Sequence, residues 1–269
     1  MIAKSLSPMV THSMKFNNIN VTIGDNVTIG KDVRIGDNTV IYDNVVIEDG
    51  VTIANDCIIG EPSTDYYQNP FYLNRQTIIG RNSLIRSHAI IYNGNILKEN
   101  VTTGHRIIIR ENNLIGHHSL IGNCCQLHGN VKIGRYVRLH SFVSVVENAV
   151  IGDFVWISAG TVLTNDPTPP SHHLVSPVIG DYTFIAVNCI LFPGVKIGKH
   201  CVVGPGTLVH RDTPDHSLIM GNPGRIFPNA NDIFGRQTEH YPWPYHYERG
   251  MPWEGIGYDK WLEIDEEQK

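Results

Sequence analysis

The chain has 269 residues, 41% of them hydrophobic, and a formal net charge of -5, the make-up of an ordinary globular protein. Its basic residues are scattered rather than gathered in a stripe, which speaks against nucleic acid as a partner. No unbroken apolar run approaches about 18 residues and no charged leader precedes an apolar segment, so neither a membrane span nor a signal peptide is expected, and the compartment implied is the cytoplasm.

Residues 1–18 show no periodicity and read as a lead-in to the first coil. From Ile23 a branched aliphatic returns every sixth residue, through Ile29, Ile35, Ile41, Ile47, Ile53 and Ile59. The pattern rejoins at Ile79 and runs to Leu163 with a single lapse at Thr103. It resumes at Ile179 and continues through Ile185, Leu191, Ile197 and Val203 to Val209. Four residues after most of these comes a small or β-branched side chain, with Gly, Asn, Asp, His and Arg between. A period of six fits neither a helix nor a plainly alternating strand; it predicts an all-β coil with three flat sides and about 18 residues per turn, stacked so that the aliphatic column becomes one continuous core.

Two interruptions leave the coil as external loops. Residues 61–78 carry Tyr66, Tyr67 and Tyr72, which either stack on a nucleotide base or cover a neighbouring coil. Residues 164–178 include Pro167, Pro169, Pro170 and Pro177, and read as a stiff arm reaching a neighbouring subunit. The repeat domain is therefore 1–226. Residues 227–269, rich in Pro, Tyr and Trp, have no core of their own and are expected to close the open end of the solenoid, finishing in a short helix. Cys57, Cys125, Cys189 and Cys201 fall at inward positions as core thiols, leaving Cys124 as the one exposed candidate.

The repeat resembles that of the hexapeptide-repeat acyltransferases over about residues 20–226. Three stretches, Ile157 to Ser171, Leu191-Phe-Pro-Gly-Val-Lys-Ile-Gly and Met220-Gly-Asn-Pro-Gly-Arg225, are similar to those of N-acyltransferases acting on nucleotide-linked amino sugars, often dTDP-linked. Gly60-Glu-Pro with Arg81-Asn-Ser-Leu-Ile-Arg86 also resembles the acyltransferases of lipid A assembly. The resemblance implies a left-handed parallel β-helix, a homotrimer with its site between subunits, and acetyl-CoA or another acyl-CoA as cosubstrate. Apolar residues at outward positions (Ile90, Ile96, Ile108, Leu114, Leu120, Val150, Trp156, Val162) fit one flat side packed on neighbours.

Residues about 18 apart share a column, so Asn165 stands above Glu147, beside Asp166 and under the arm. These three can orient a sugar amine for attack. Coil histidines are the other source of a base: His88, His105, His117, His118, His128 and His140 qualify by residue type, with His105 and His140 nearest a repeat position. Arg86, Arg106 and Arg110 lie near them in sequence and, with His88, His128 and Tyr66, suit a nucleoside diphosphate. For coenzyme A the resemblance points to backbone near Ala186 and Gly204, with Lys196, Arg211, Asn222 and Arg225 at matching motif positions. Whether a histidine, Glu147 or the coenzyme sulfur takes the proton stays open. So do the amine position, the acyl length, and other acceptors such as a serine or a lipid A precursor. A zinc enzyme of the γ-carbonic-anhydrase kind needs a His-x4-His pair, but residues 122 and 123 are Gly and Asn, so no metal is expected. A non-catalytic scaffold leaves the two long loops without a purpose.

Overall fold

Most hexad aliphatics end a two-residue strand, and the chain turns after them. Thr22–Ile23, Thr28–Ile29 and Arg34–Ile35 therefore lie on three successive faces, and the fourth strand, Val40–Ile41, comes round to pair with the first as Thr22↔Val40 and Ile23↔Ile41. The computed structural model describes residues 16–230, 232–233, 236–237 and 247–267; most of the lead-in lies outside them. Repetition builds three parallel sheets of ten, nine and eleven strands, a solenoid matching a left-handed β-helix. Leu218–Met220 with Arg225–Phe227 is antiparallel and finishes the third sheet, and Asp232–Ile233 with Arg236–Gln237 forms a separate antiparallel pair.

The inward column is dry: Ile41, Ile59, Ile91, Ile109, Leu127 and Val145 are fully buried, and each such side chain contributes about 1.5–3 kcal/mol by leaving water. At the corners the second turn residue takes a positive φ, as at Asn26, Asn44, Asn112 and Asn130, a conformation that Asn tolerates better than most residues. Side chains tie corner to corner: Asn26 Nδ2 donates to Asn44 Oδ1 at 2.5 Å and the Asp25 amide to Asp43 Oδ1 at 2.7 Å. These bonds satisfy turn groups that the sheets leave unpaired.

Four cysteines are buried in the core and Cys124 is partly exposed. Burial pushes the Cys57 and Cys125 thiols up to about 11, so they are inert at neutral pH. Titration of the native protein with an aromatic disulfide reagent is expected to modify Cys124 quickly and the other four only on unfolding; two or more fast thiols would contradict this packing.

Two expectations need correction. The outward aliphatics do not share one side, because a period of six puts consecutive ones on successive faces. Ile90, Ile108 and Val162 are on the first, Ile96, Leu114 and Val150 on the second, and Leu120 and Trp156 on the third. Of the two readings of loop 61–78, cover is the one seen at Tyr66, which packs edge-on against Tyr42 and Tyr72 at 6.3 and 5.8 Å, while Tyr67 and Phe71 stay exposed. Tyr72 Oη, in turn, receives the Asn93 amide and the Ser63 backbone.

The second correction concerns the C-terminal segment, whose described residues 247–267 lie along the flank. Tyr258–Glu267 is the expected helix, and its apolar residues at i, i+3 and i+4, Tyr258, Trp261 and Leu262, face the solenoid. Together with Met251 and Trp253 they bury Phe154. Their dock is a ladder of rings that the 18-residue period stacks at the corner between second and third faces: His118, Tyr136, Phe154, Tyr182, His200 and His216. Successive centroids lie 4.8, 5.2, 5.0, 4.8 and 5.0 Å apart, with planes within 13°.

Candidate active site

Three corners run the length of the solenoid, and the candidate residues divide among them. The edge between first and second faces carries Arg110, Glu147, Asn165 and Arg211, with His128 one residue before its turn. The edge between third and first faces carries Arg86, His88, His105, Arg106, His140, Ala186 and Gly204. Lys196 is on the second face, and Asn222 and Arg225 belong to the end hairpin. Within one chain the proposed amine-orienting column is thus on a different edge from His88, His105 and His140.

The histidine edge holds a groove of about 420 Å³ lined by Arg86, Thr102, Thr103, Gly104, His105, Leu120, Gly122, Asn123, His140 and Ser141. Glycine is needed at its floor: a Cβ on Gly122 would sit 2.5 Å from the His140 carbonyl carbon of the next coil. The lapse in the aliphatic column opens here too. Thr103 is buried, and its Oγ1 accepts the Arg86 amide at 3.0 Å in place of a main-chain carbonyl.

His105 is held from both ring nitrogens. Arg86 Nη2 lies 2.9 Å from Nε2 and Ser87 Oγ 2.7 Å from Nδ1. A guanidinium only donates, so Nε2 accepts and the imidazole proton sits on Nδ1, facing the serine. His105 is therefore an oriented ring, with its accepting nitrogen turned to a cation. Its backbone amide donates to Asn123 Oδ1 at 2.8 Å, fixing the next coil against it.

His140 is different. One face of its ring stacks on Trp156 at 4.9 Å and 25°, while much of the side chain stays open to the groove. Burial of the stacked face, then the charge of Arg138, holds its pKa below the usual 6.5. Among the described residues no protein group hydrogen-bonds its ring nitrogens. A neutral imidazole with free nitrogens in a groove has what a general base requires. Ser87, Asn123, Ser141 and Trp156 escaped sequence reading because they act through the coil beside their own.

The arm edge has its own groove, about 500 Å³, lined by Val146, Leu163, Thr164, Asn165, Asp166, Pro167, Pro169, Phe192, Pro193 and His210. Asp166 is occupied in bracing the arm: its carboxylate accepts the Thr168 amide at 3.0 Å and the Ser171 amide and hydroxyl at 2.8 and 2.7 Å. The Ser171 bond holds its pKa below the usual carboxylate range. Glu147 Oε1 takes the Asn130 side-chain amide at 3.2 Å, and its backbone carbonyl takes the Ser176 hydroxyl. Arg110 forms a fork with Glu111 at 2.8 and 2.9 Å and lies over the Tyr92 ring.

The amides of Ala186 and Gly204 donate to Val203 O and Ile219 O at 2.9 and 2.8 Å, so both are committed to the ladder between coils. Lys196, Arg211, Asn222 and Arg225 are exposed; Asn222 and Arg225 share the end hairpin, while Lys196 is on the second face and Arg211 on the edge between first and second faces. Among the described residues no group of three or more His, Cys, Asp or Glu is arranged to hold a metal, and no helix is long and apolar enough to cross a membrane.

Comparison with known proteins follows the same lines. The model of the GMPPB C-terminal domain matches residues 17–126, and that of the bacterial transferase hexapeptide (six repeats) matches residues 176–211. YvoF of Bacillus subtilis (strain 168), provisionally named an acetyltransferase, is 40% identical over 91 residues, 34% of this chain and 50% of that protein. The 2,3,4,5-tetrahydropyridine-2,6-dicarboxylate N-acetyltransferase of Staphylococcus aureus (strain JH9) is 33% identical over 89 residues, 33% of this chain and 36% of that one. The chain thus spans half or less of the length of these curated relatives. Among solved structures, an Arabidopsis UDP-N-acetylglucosamine acyltransferase is 18% identical, with a TM-score of 0.48 and coverage of 77% of this chain and 72% of that one. The hexad repeat and the three-sided coil are thus matched over residues 176–211 by the transferase hexapeptide model, and over about a third of its length the chain is similar to acetyltransferases.

Proposed function

We propose that the chain is an acyl-CoA-dependent N-acyltransferase that moves an acetyl or other short acyl group to the amine of a dTDP-linked amino-dideoxy sugar, in a site completed between the subunits of a homotrimer. One observation carries the reading. Arg86, His140, Ala186 and Gly204 occupy the same step of the coil on one edge. His140 stands between the cationic groove and the coils to which the resemblance assigns coenzyme A. Coils are spaced by about 4.8 Å, so the groove and that region adjoin along the edge.

In this reading Arg86, His88 and Arg106 meet the diphosphate, for which guanidinium forks are suited. The amine nitrogen attacks the thioester carbonyl; the C–N bond forms as the C–S bond breaks. His140 takes the amine proton and returns it to the departing thiolate. Assembly of three chains supplies what one lacks, because only a neighbour can bring the Glu147 and Asn165 edge to the histidine groove. Glu147→Ala or Asn165→Ala then costs a factor of about 10 to 100 as lost orientation. The curated N-acetyltransferase relative supports the bond being made.

The test is the pH dependence of kcat/KM. A base whose pKa lies below 6.5 is neutral at pH 7 and loses activity only as pH falls through that lowered value. The acid limb is expected below 6.5. A limb above it, or none, would take His140 out of the base role.

A further inference from the structure

Resting on the reading of His140 as base, we propose that Trp156 is its positioning residue and that the chain's own C-terminal segment, through Tyr247, holds Trp156 in that post. The geometry is a relay of rings from flank to groove. His140 stacks on Trp156 at 4.9 Å, and Tyr247 meets Trp156 edge-on at 5.0 Å and 86°. Tyr247 is fixed from behind, because its backbone carbonyl accepts the indole N–H of the fully buried Trp253 at 2.8 Å. Trp253 in turn packs on Phe154 of the ladder at 5.4 Å. A second tie lies alongside: Arg138, one coil below Trp156, gives one Nη to Gly250 O at 3.1 Å and the other to His118 O at 3.3 Å.

A stacked ring restricts an imidazole that otherwise turns about two side-chain bonds, and orientation of a base is worth rate. The segment from 247 on is thus part of the site although it contributes no residue to the groove lining. Among the described residues the charged and titratable groups around His140 are few. Arg138 is on its own strand, Cys125 donates its thiol to the His140 carbonyl at 2.9 Å, and Arg86 and His105 lie across the groove. None of these is a carboxylate, so unstacking exposes the ring to water without bringing it an anion.

The experiment uses the full-length protein labelled at histidine, with imidazole titrations followed by NMR and turnover measured on the same samples. Trp156→Ala is expected to move the His140 titration up toward 6.5, carry the acid limb with it and lower kcat about tenfold or more, with KM for the acyl donor little changed. Trp156→Phe, which keeps a ring, is expected to restore most of both. Tyr247→Ala, far from the groove floor, is expected to act in the same direction with a smaller effect, and it serves if Trp156→Ala fails to fold. An unmoved His140 titration in Trp156→Ala or, failing that, in Tyr247→Ala overturns the proposal; so does a Phe variant as impaired as the Ala variant. The titration is independent of acyl transfer, so full turnover by His140→Ala would defeat the base assignment while the ring contact is judged separately.

Discussion

Replacing His140 by alanine is expected to lower kcat by about 10² to 10⁴, the range for removing a positioned general base. The expectation comes from position and state together. The ring lines the groove, is stacked on one side only and is kept neutral by partial burial. His105→Ala is expected to cost less, about 10 to 100, because Arg86 and Ser87 already occupy its nitrogens and its part is to hold Arg86. Asparagine at 140 keeps much of the size but no basic nitrogen, so it should be as poor as alanine. Binding of the nucleotide sugar to His140→Ala, followed calorimetrically, should be nearly unchanged. Were His140→Ala to keep wild-type kcat while Asn165→Ala or Glu147→Ala was dead, the chemistry would belong to the arm edge.

The largest structural effect is expected from Trp253→Ala. Its side chain is fully buried against Phe154, Tyr258 and Trp261, with ring centroids at 5.4, 5.0 and 5.1 Å. Truncating a buried tryptophan costs about 3–5 kcal/mol. The loss should fall on docking of the flank segment, since the solenoid's aliphatic core is a separate cluster. Hydrogen exchange in 258–265 is then expected to quicken by about 10² to 10³, while the coils around Ile109 and Leu127 keep their protection. Uniform acceleration across the solenoid would show that segment and coils open as one unit. Ion pairs cannot compensate: Arg135 reaches Asp265 at 3.4 Å and Asp153 at 2.9 Å, and partly exposed pairs of this kind contribute about 0–1 kcal/mol.

The coil was legible in the sequence because its determinant is local and periodic. A buried aliphatic every sixth residue and an Asn or Asp at the turn are statements about neighbouring residues, and Ile23 to Val209 makes them repeatedly. The division of candidates between edges was contained in the same period. Carried from Arg86 through 104 and 122 to His140, the 18-residue step puts groove and base in one column; Glu147 and Asn165 fall seven residues further round, on the next edge. The ring ladder could have been found the same way, since His118, Tyr136 and Phe154 stand 18 apart. The resting place of the C-terminal segment could not. It depends on shape and apolar area at one corner of the finished solenoid, and nothing local in residues 247–267 names that corner. The partners of His105 and His140 were hidden for a related reason: Ser87 and Trp156 touch them from adjacent coils, where sequence distance carries no chemical label.

The account stands most directly on one assay: thiol release from acetyl-CoA by the wild-type chain and by His140→Ala, against a panel of dTDP-, UDP- and GDP-linked amino sugars with the amine at different ring positions. Turnover by the wild-type chain with a dTDP-linked amino sugar, reduced about 10² to 10⁴ in His140→Ala, is the result predicted. Absence of turnover with every nucleotide amino sugar, alongside turnover with a serine, lipid A precursor or dicarboxylate acceptor, would contradict it.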